Sequence, residues 1–287
     1  MTAPTVLHGS ARSVAARRLP RLLTGVALVI LAAVFFFPMI WMVLSSFKSN
    51  ADIFKSPFAL PTSIDFGRWA RAWEVGQIGQ YAFNSAVVTA VSVTGILLLG
   101  SGAAFAFSRY RFRGRSAVMS LFALGLLLPL QSYFIAQSSL FTQLAITDTR
   151  LALIIPYTAM GLPLAIYLLK VYLDALPEEL FDAARIDGAG DFLVFKALAL
   201  PLLRPGLATV AIFSALSSWN EFLLALLYIQ DDALKTIPTG LLAFSSRYVT
   251  DYSLLFSALS IVTLPMIAIY VAFNRHIVEG ITAGSVK

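Results

Sequence analysis

The sequence predicts an all-α integral membrane protein of about six transmembrane helices, and three observations carry that expectation. Of the 287 residues, 59% are hydrophobic and 13% charged, against roughly 45–50% and 25% in soluble domains. The apolar residues fall in runs long enough to cross a bilayer, which takes about 20 helical residues. The basic residues gather beside those runs in alternate loops, as Lys and Arg do on the cytoplasmic side of a membrane protein.

The first span runs from Leu22 to about Ser46, behind a polar segment with Arg12, Arg17 and Arg18 and with Arg21 at its edge. It exceeds the roughly 7–15 residues of a signal-peptide core, and no small-residue cleavage site closes it. It therefore reads as a retained span. The segment 49–80 carries Pro57 and Pro61 and reads as an external loop with a short interfacial helix around Trp69 and Trp73. Further spans are expected at Tyr81–Ser108, Ser116–Ala136, Leu151–Tyr172, Leu207–Tyr228 and Ser253–Phe273, the third interrupted by Pro129, Gln131 and Ser132.

With the N-terminus inside, the inner loops are 1–21, 109–115, 170–206 and 274–287, and they hold most of the 21 basic residues. Arg109, Arg111, Arg113 and Arg115 crowd the shortest of them; Lys170, Arg185, Lys196 and Arg204 lie on the longest; Arg275 and Lys287 end the chain. Both termini are placed in the cytoplasm. The chain then divides into a basic N-terminal segment (1–21), a six-helix membrane domain (22–273) with a cytoplasmic loop at 173–205, and a cytoplasmic tail (274–287).

Composition also excludes function classes. The net charge of +6 is not gathered into a basic patch with interleaved aromatics, so no nucleic-acid partner is expected. There is no cysteine, and His8 and His276 stand near opposite ends, so no metal pair is expected. A membrane-embedded enzyme needs a convergent acid, base or nucleophile, and the spans hold one clear carboxylate, Glu221. An ion-coupled transporter or channel calls for ionisable groups near the midplane, where Glu221 again stands by itself.

The spans are more than lipid anchors. Pro156, Gly161 and Pro163 interrupt the hydrogen-bond ladder of the fourth, which lipid tolerates where neighbouring helices satisfy the freed groups. Gly102 and Ala106 form a small-xxx-small pair suited to close helix approach. Ser214, Ser217, Ser218 and Glu221 share one helical face by spacing, and Asn220 precedes the carboxylate; Ser253, Ser257 and Ser260 repeat the pattern. Two readings stand for such faces: hydrogen-bonding glue between helices, or the lining and gate of a solute pathway.

The loop between the fourth and fifth spans reads LPEELFDAARIDGAGDFLVFKALALPLLRP. Pro177 suits a first helical turn, and Glu178 and Glu179 complement its positive end. Leu176, Leu180, Ala183 and Ala184 are expected on one face. Gly188 can take the left-handed conformation that ends a helix, and Gly190 loosens the turn that follows. A second helix is expected from Phe192 to Leu200, stopping at Pro201.

This loop resembles the EAA signature of ABC importer permeases. Asp182, Ala183 and Ala184 are followed after three residues by Gly188, and nine more lead to Leu198, Ala199, Leu200 and Pro201. Asp182 stands where the signature has Glu, and Leu198 where it has Ile. Trp219-Asn220-Glu221-Phe222, and the end from Asn274-Arg275 through Gly280 to Lys287, are similar to the carbohydrate-importer branch typified by the G subunit of maltose permease. That branch usually has Gln where Asn274 stands.

The resemblance covers the chain from about Leu22 onward and implies a type I importer permease of the bacterial cytoplasmic (inner) membrane. It implies a second homologous permease, two cytoplasmic ABC ATPases and an extracytoplasmic sugar-binding protein as partners. Asp182, Ala183, Ala184, Gly188, Leu198, Leu200 and Pro201 would form the element coupled to the ATPases, and the tail would reach their interface. ATP and Mg would be bound by the partners, with no cofactor on this chain. In agreement, the sequence has no Gly-x4-Gly-Lys-Ser/Thr loop to cradle phosphates.

The topology is directly testable because the chain has no native cysteine. Gly114→Cys and Ser285→Cys should react with a membrane-impermeant thiol reagent only after cells are opened. Ser63→Cys should react from outside, and outside labelling at Gly114 would overturn the six-span order.

Overall fold

The computed structural model describes residues 11–129, 132–245 and 250–283. His8, Gln131 and the tail from Gly284 to Lys287 lie outside them. Within the described residues the protein is a helical bundle built around two long helices.

The first helix, α1 (Ala11–Ser45), carries the apolar stretch Thr24–Ser45, of mean hydropathy 2.7, exposed along most of its length and buried only at its last residue, Ser45. Its C-terminal end is fixed by polar bonds. Lys48 Nζ donates to the carbonyls of Ser56 and Pro57, Trp41 Nε1 to Pro57 O at 2.8 Å, and Trp69 Nε1 to Ser46 Oγ at 3.0 Å. The expected external loop therefore holds two helices: α2 (Asn50–Lys55), capped by Ser49, and α3 (Gly67–Val75), which carries Trp69 and Trp73 as expected.

The central pair is α4 (Ile78–Arg109) and α7 (Leu151–Asp174), packed along much of their length. Small residues let the backbones approach. A Cβ on Gly100 would stand 3.0 Å from the Ala165 methyl, and one on Gly161 would stand 2.3 Å from Ile96 Cδ1. The expected Gly102–Ala106 pair does not serve this contact, since no other heavy atom lies within 4 Å of where a Gly102 Cβ would be. The buried stripe of α4 runs through Val88, Ser92, Ile96, Gly100 and Ala104, and a residue two places from Gly100 points roughly to the opposite side of a helix. α7 continues unbroken through Pro156 and Pro163.

The expected third span is not one helix. It divides into α5 (Arg115–Leu127) and α6 (Phe134–Gln143), with Leu128 extended at φ −75°, ψ 119°. Pro129 disfavours helical backbone at the residue before it and has no N–H to donate.

The loop after α7 forms α8 (Glu178–Ile186) and a second rod made of α9 (Asp191–Leu193), a π-helical turn (Val194–Ala199) and α10 (Leu200–Leu202). Pro201 does not stop this rod. The break comes at Leu203, where Asp191–Leu202 meets α11 (Arg204–Asn220) at 74°. A short α12 (Leu223–Tyr228) and α13 (Ile237–Gly240) follow, and α14 (Tyr252–Ala283) closes the described chain.

Among the described residues, three helices are long and apolar enough to cross a membrane unaided: Thr24–Ser45, Ile78–Arg109 and Leu151–Asp174. The bent pair ending in α11 makes a fourth, Arg115–Leu127 is a shorter apolar helix, and α14 is apolar over Tyr252–Ala268. For Ser253 and Ser257 the glue reading describes the contacts: their hydroxyls donate to Lys48 O at 2.8 Å and Ser46 O at 3.0 Å, tying α14 to the end of α1. At the N-terminal ends of the central pair, fully buried Asn84 donates to Ala233 O and Lys235 O and accepts from Arg150 Nη2.

The packing predicts opposite outcomes at two glycines. Gly161→Val must displace Ile96 in the central pair and should destabilise the protein by about 1–3 kcal/mol, the usual cost of overpacking. Gly102→Val should be nearly neutral. Thermal unfolding in detergent checks both, and equal shifts would contradict the assigned helix face.

Candidate functional site

Two places carry the chemistry singled out in the sequence: the α8–α10 hairpin and a cleft between α7 and α11. In α8, Glu178 and Glu179 occupy the first turn and Arg185 the last, each opposite in sign to its end of the helix dipole. Pro177 stands one place earlier than expected, as the N-cap. The buried face is also displaced from the expected one. Leu180 and Ala183 are exposed, whereas Phe181 is fully buried and Ala184 partly so.

Phe181 enters a pocket of α4 and α7 residues. The Arg109 guanidinium carbon lies 3.6 Å from its ring centroid, and the Phe105 ring is 6.5 Å away. The surrounding core joins Phe105 and Ala104 of α4, Leu169 and Leu173 of α7, Val194, Ala199 and Leu203. Tyr110 bonds to Asp191 at the start of α9; burial first, and that bond second, push its hydroxyl above the ordinary tyrosine pKa. Sequence reasoning missed Phe181, Arg109 and Tyr110. The available signal was the lone aromatic of α8, opposite an arginine loop read only for topology.

Gly188 ends α8 at φ +83°. Its N–H donates to Arg185 O and that of Ala189 to Ala184 O, both at 3.0 Å, the paired pattern of a Schellman cap. A Cβ here would meet nothing within 4 Å, so the position needs glycine for its backbone angle and not for space. On either side of the cap a large apolar side chain faces outward: Ile186 is 86% exposed and Phe192 76%. Asp182 and Arg185 flank it as an exposed pair at 3.5 Å. Of the remaining signature residues, Leu198 and Leu200 are partly buried and Pro201 is exposed.

The cleft spans about 610 Å³ of space, part of it open to the surroundings. Tyr157, Met160 and Gly161 of α7 face Phe213, Ser214, Ser217 and Ser218 of α11, with Glu221 at one end. The expected continuous helix from Leu207 to Tyr228 is corrected here: α11 ends at Asn220, and Glu221 is extended at φ −67°, ψ 126°. Its carboxylate restores what the break removes. Oε1 accepts from Leu224 N at 2.9 Å, while Oε2 accepts from Ala225 N at 3.2 Å and from Tyr157 Oη at 2.7 Å. Glu221 thus caps α12, holds it to α7 and borders the cleft beside the serines. Asn220 is not among the lining residues; it is exposed and donates to Leu216 O in its own helix.

Comparison with known proteins follows the same lines. Residues 96–282 match the family described as binding-protein-dependent transport system inner membrane component. The chain is similar to a diacetylchitobiose uptake system permease protein of Streptomyces coelicolor, with 36% identity over 91% of this chain and 87% of that one. It is equally similar to a probable ABC transporter permease protein of Bacillus subtilis, with 36% identity over 88% and 83% of the two chains. In fold it resembles a chain from the crystal structure of a bacterial ABC transporter involved in the import of alginate, with a TM-score of 0.77 and 21% identity over 94% and 99% of the two.

The capping geometry at Glu221 predicts a local effect. Glu221→Gln keeps one acceptor but loses the charge, which weakens such bonds by about 1 kcal/mol. Amide exchange at Leu224 and Ala225 should rise by roughly fivefold, with insertion unchanged. Unaltered exchange at both amides would show that the carboxylate does not cap α12.

Proposed function

The chain belongs to the family of binding-protein-dependent transport inner-membrane components, and from that premise we propose that it is a permease subunit of an ATP-driven carbohydrate importer. The similarity to a diacetylchitobiose uptake permease supports a carbohydrate as the substrate class. The observation that carries the reading is the α8–α10 hairpin: its inner face is built into the membrane core, while Ile186 and Phe192 are left bare on its outer side.

In this reading α8 is the coupling helix, and its exposed side seats on a cytoplasmic ATPase subunit. Asp182, Ala183 and the Gly188 turn then lie at that contact, with Ala184, Leu198 and Leu200 holding the hairpin to the spans. ATP and Mg belong to two copies of the ATPase, a second homologous permease completes the pathway, and an extracytoplasmic binding protein delivers the sugar. Both termini are cytoplasmic. Closure of the ATPases displaces α8, and the packed helices follow as rigid bodies between inward- and outward-open states.

The cleft between α7 and α11 supplies part of the pathway wall. Hydroxyls of Ser214, Ser217 and Ser218 offer donors and acceptors to a neutral polyol, and Phe213 offers an apolar surface. Glu221 acts mainly as a brace, because its oxygens are already engaged by Tyr157 and two backbone amides. A channel or ion-coupled transporter would have no use for a capped hairpin with an exposed apolar side.

Co-expression with the ATPase, second permease and binding protein, followed by reconstitution, tests the proposal. ATPase activity should rise when the binding protein carries one member of a carbohydrate panel. Gly188→Val places a branched side chain at φ +83°, a strain of about 1–3 kcal/mol. It should insert normally and abolish uptake; normal uptake at equal protein level would remove the hairpin from the coupling role.

A further inference from the structure

Four arginines alternate along the short loop after α4, and the positive-inside pattern accounts for arginines that face solvent. Arg111 and Arg113 are exposed in that way. Arg109 is not: it is the last residue of α4 and turns inward, making two different contacts with two other elements. Its Nη2 donates to Leu173 O, in the last turn of α7, at 2.6 Å. Its guanidinium carbon stands 3.6 Å from the centroid of the buried Phe181 ring of α8. The neighbouring Ser108 hydroxyl closes the same junction by donating to Asp174 Oδ1 at 2.7 Å.

These contacts suit a planar cation. The flat face of a guanidinium stacks on an aromatic ring while its edge donates hydrogen bonds, whereas an ammonium is a point charge without that division. The carbonyl it meets is at the negative end of the α7 dipole. Apolar packing of Phe181 alone would keep α8 near the membrane core but permit sliding; the stacked and bonded guanidinium fixes its direction relative to both spans.

We propose that Arg109 is the positioning residue that makes α8 move as one body with the cytoplasmic ends of α4 and α7, so that displacement of α8 is delivered to the membrane spans. The proposal rests on the reading of α8 as the ATPase-facing helix.

The test uses the complete reconstituted transporter with Arg109→Gln, Arg109→Lys, Phe181→Leu and the double variant Arg109→Gln/Phe181→Leu. Three quantities are read: ATPase subunit retained on purification, ATP hydrolysis stimulated by loaded binding protein, and substrate imported per ATP. Arg109→Gln should assemble and hydrolyse ATP but import roughly three- to tenfold less substrate per ATP, the range that one stacked cation of this kind controls. Arg109→Lys should recover part of the loss. Phe181→Leu should share the deficit, and the double variant should be no worse than either single one, as expected of residues acting together.

Unchanged import per ATP in Arg109→Gln overturns the proposal, as does a parallel fall in assembly and hydrolysis at constant import per ATP. Should Arg109→Gln not insert, unchanged import per ATP in Phe181→Leu overturns it equally. Cross-linking of Ile186→Cys to the ATPase separates the two levels of the argument. No cross-link in otherwise unaltered protein refutes the coupling-helix reading, whereas a cross-link with unchanged import per ATP refutes only the role of Arg109.

Discussion

A break in a membrane helix frees backbone N–H and C=O groups that hydrocarbon cannot satisfy, so irregular backbone survives only where the protein itself supplies partners. The junction after Asn220 illustrates how this constraint organises the molecule. There the chain leaves α11, and the Glu221 carboxylate takes up two amides of α12 together with the Tyr157 hydroxyl. The bonds that make the break tolerable also attach α12 to α7. A carboxylate in a span, costly when unpaired, is here satisfied by three donors.

The central pair of α4 and α7 is the frame on which both sites are mounted. Gly100 against Ala165 and Gly161 against Ile96 bring the two helices together near the cleft. Farther along the same helices, Phe105, Leu169 and Leu173 receive Phe181, Val194 and Ala199 of the α8–α10 hairpin. Interiors this closely packed transmit displacement instead of absorbing it. The cleft and the hairpin therefore share one rigid support, as an importer that links ATP hydrolysis to solute movement requires.

The hairpin itself combines two demands. One side must be held in place, and Phe181 meets that need by complete burial. The other side must remain free for a partner, and the Schellman cap at Gly188 turns the chain sharply enough to leave Ile186 and Phe192 outside.

What the sequence determined by itself was the class of protein, the apolar segments and the chemistry of the loop after α7. These depend on local quantities: runs of apolar residues, the absence of helical backbone before Pro129, and the need for positive φ at Gly188. The helix around Trp69 and Trp73 and the two-helix form of the loop were legible for the same reason. The buried face of α8, the close side of α4 and the end of α11 were decided only by tertiary structure. Leu180 and Phe181 are both apolar, and only the presence of Arg109 and Phe105 across the gap selects Phe181 for burial. Gly102 and Gly100 look alike in sequence, and the position of α7 chooses Gly100. Spacing put Glu221 on a helix with the serines, yet the chain uncoils there because Tyr157 and the first turn of α12 offer its carboxylate more than another turn of α11 would. Those choices depend on partners far away in sequence, and side-chain periodicity records only the helix to which a residue belongs.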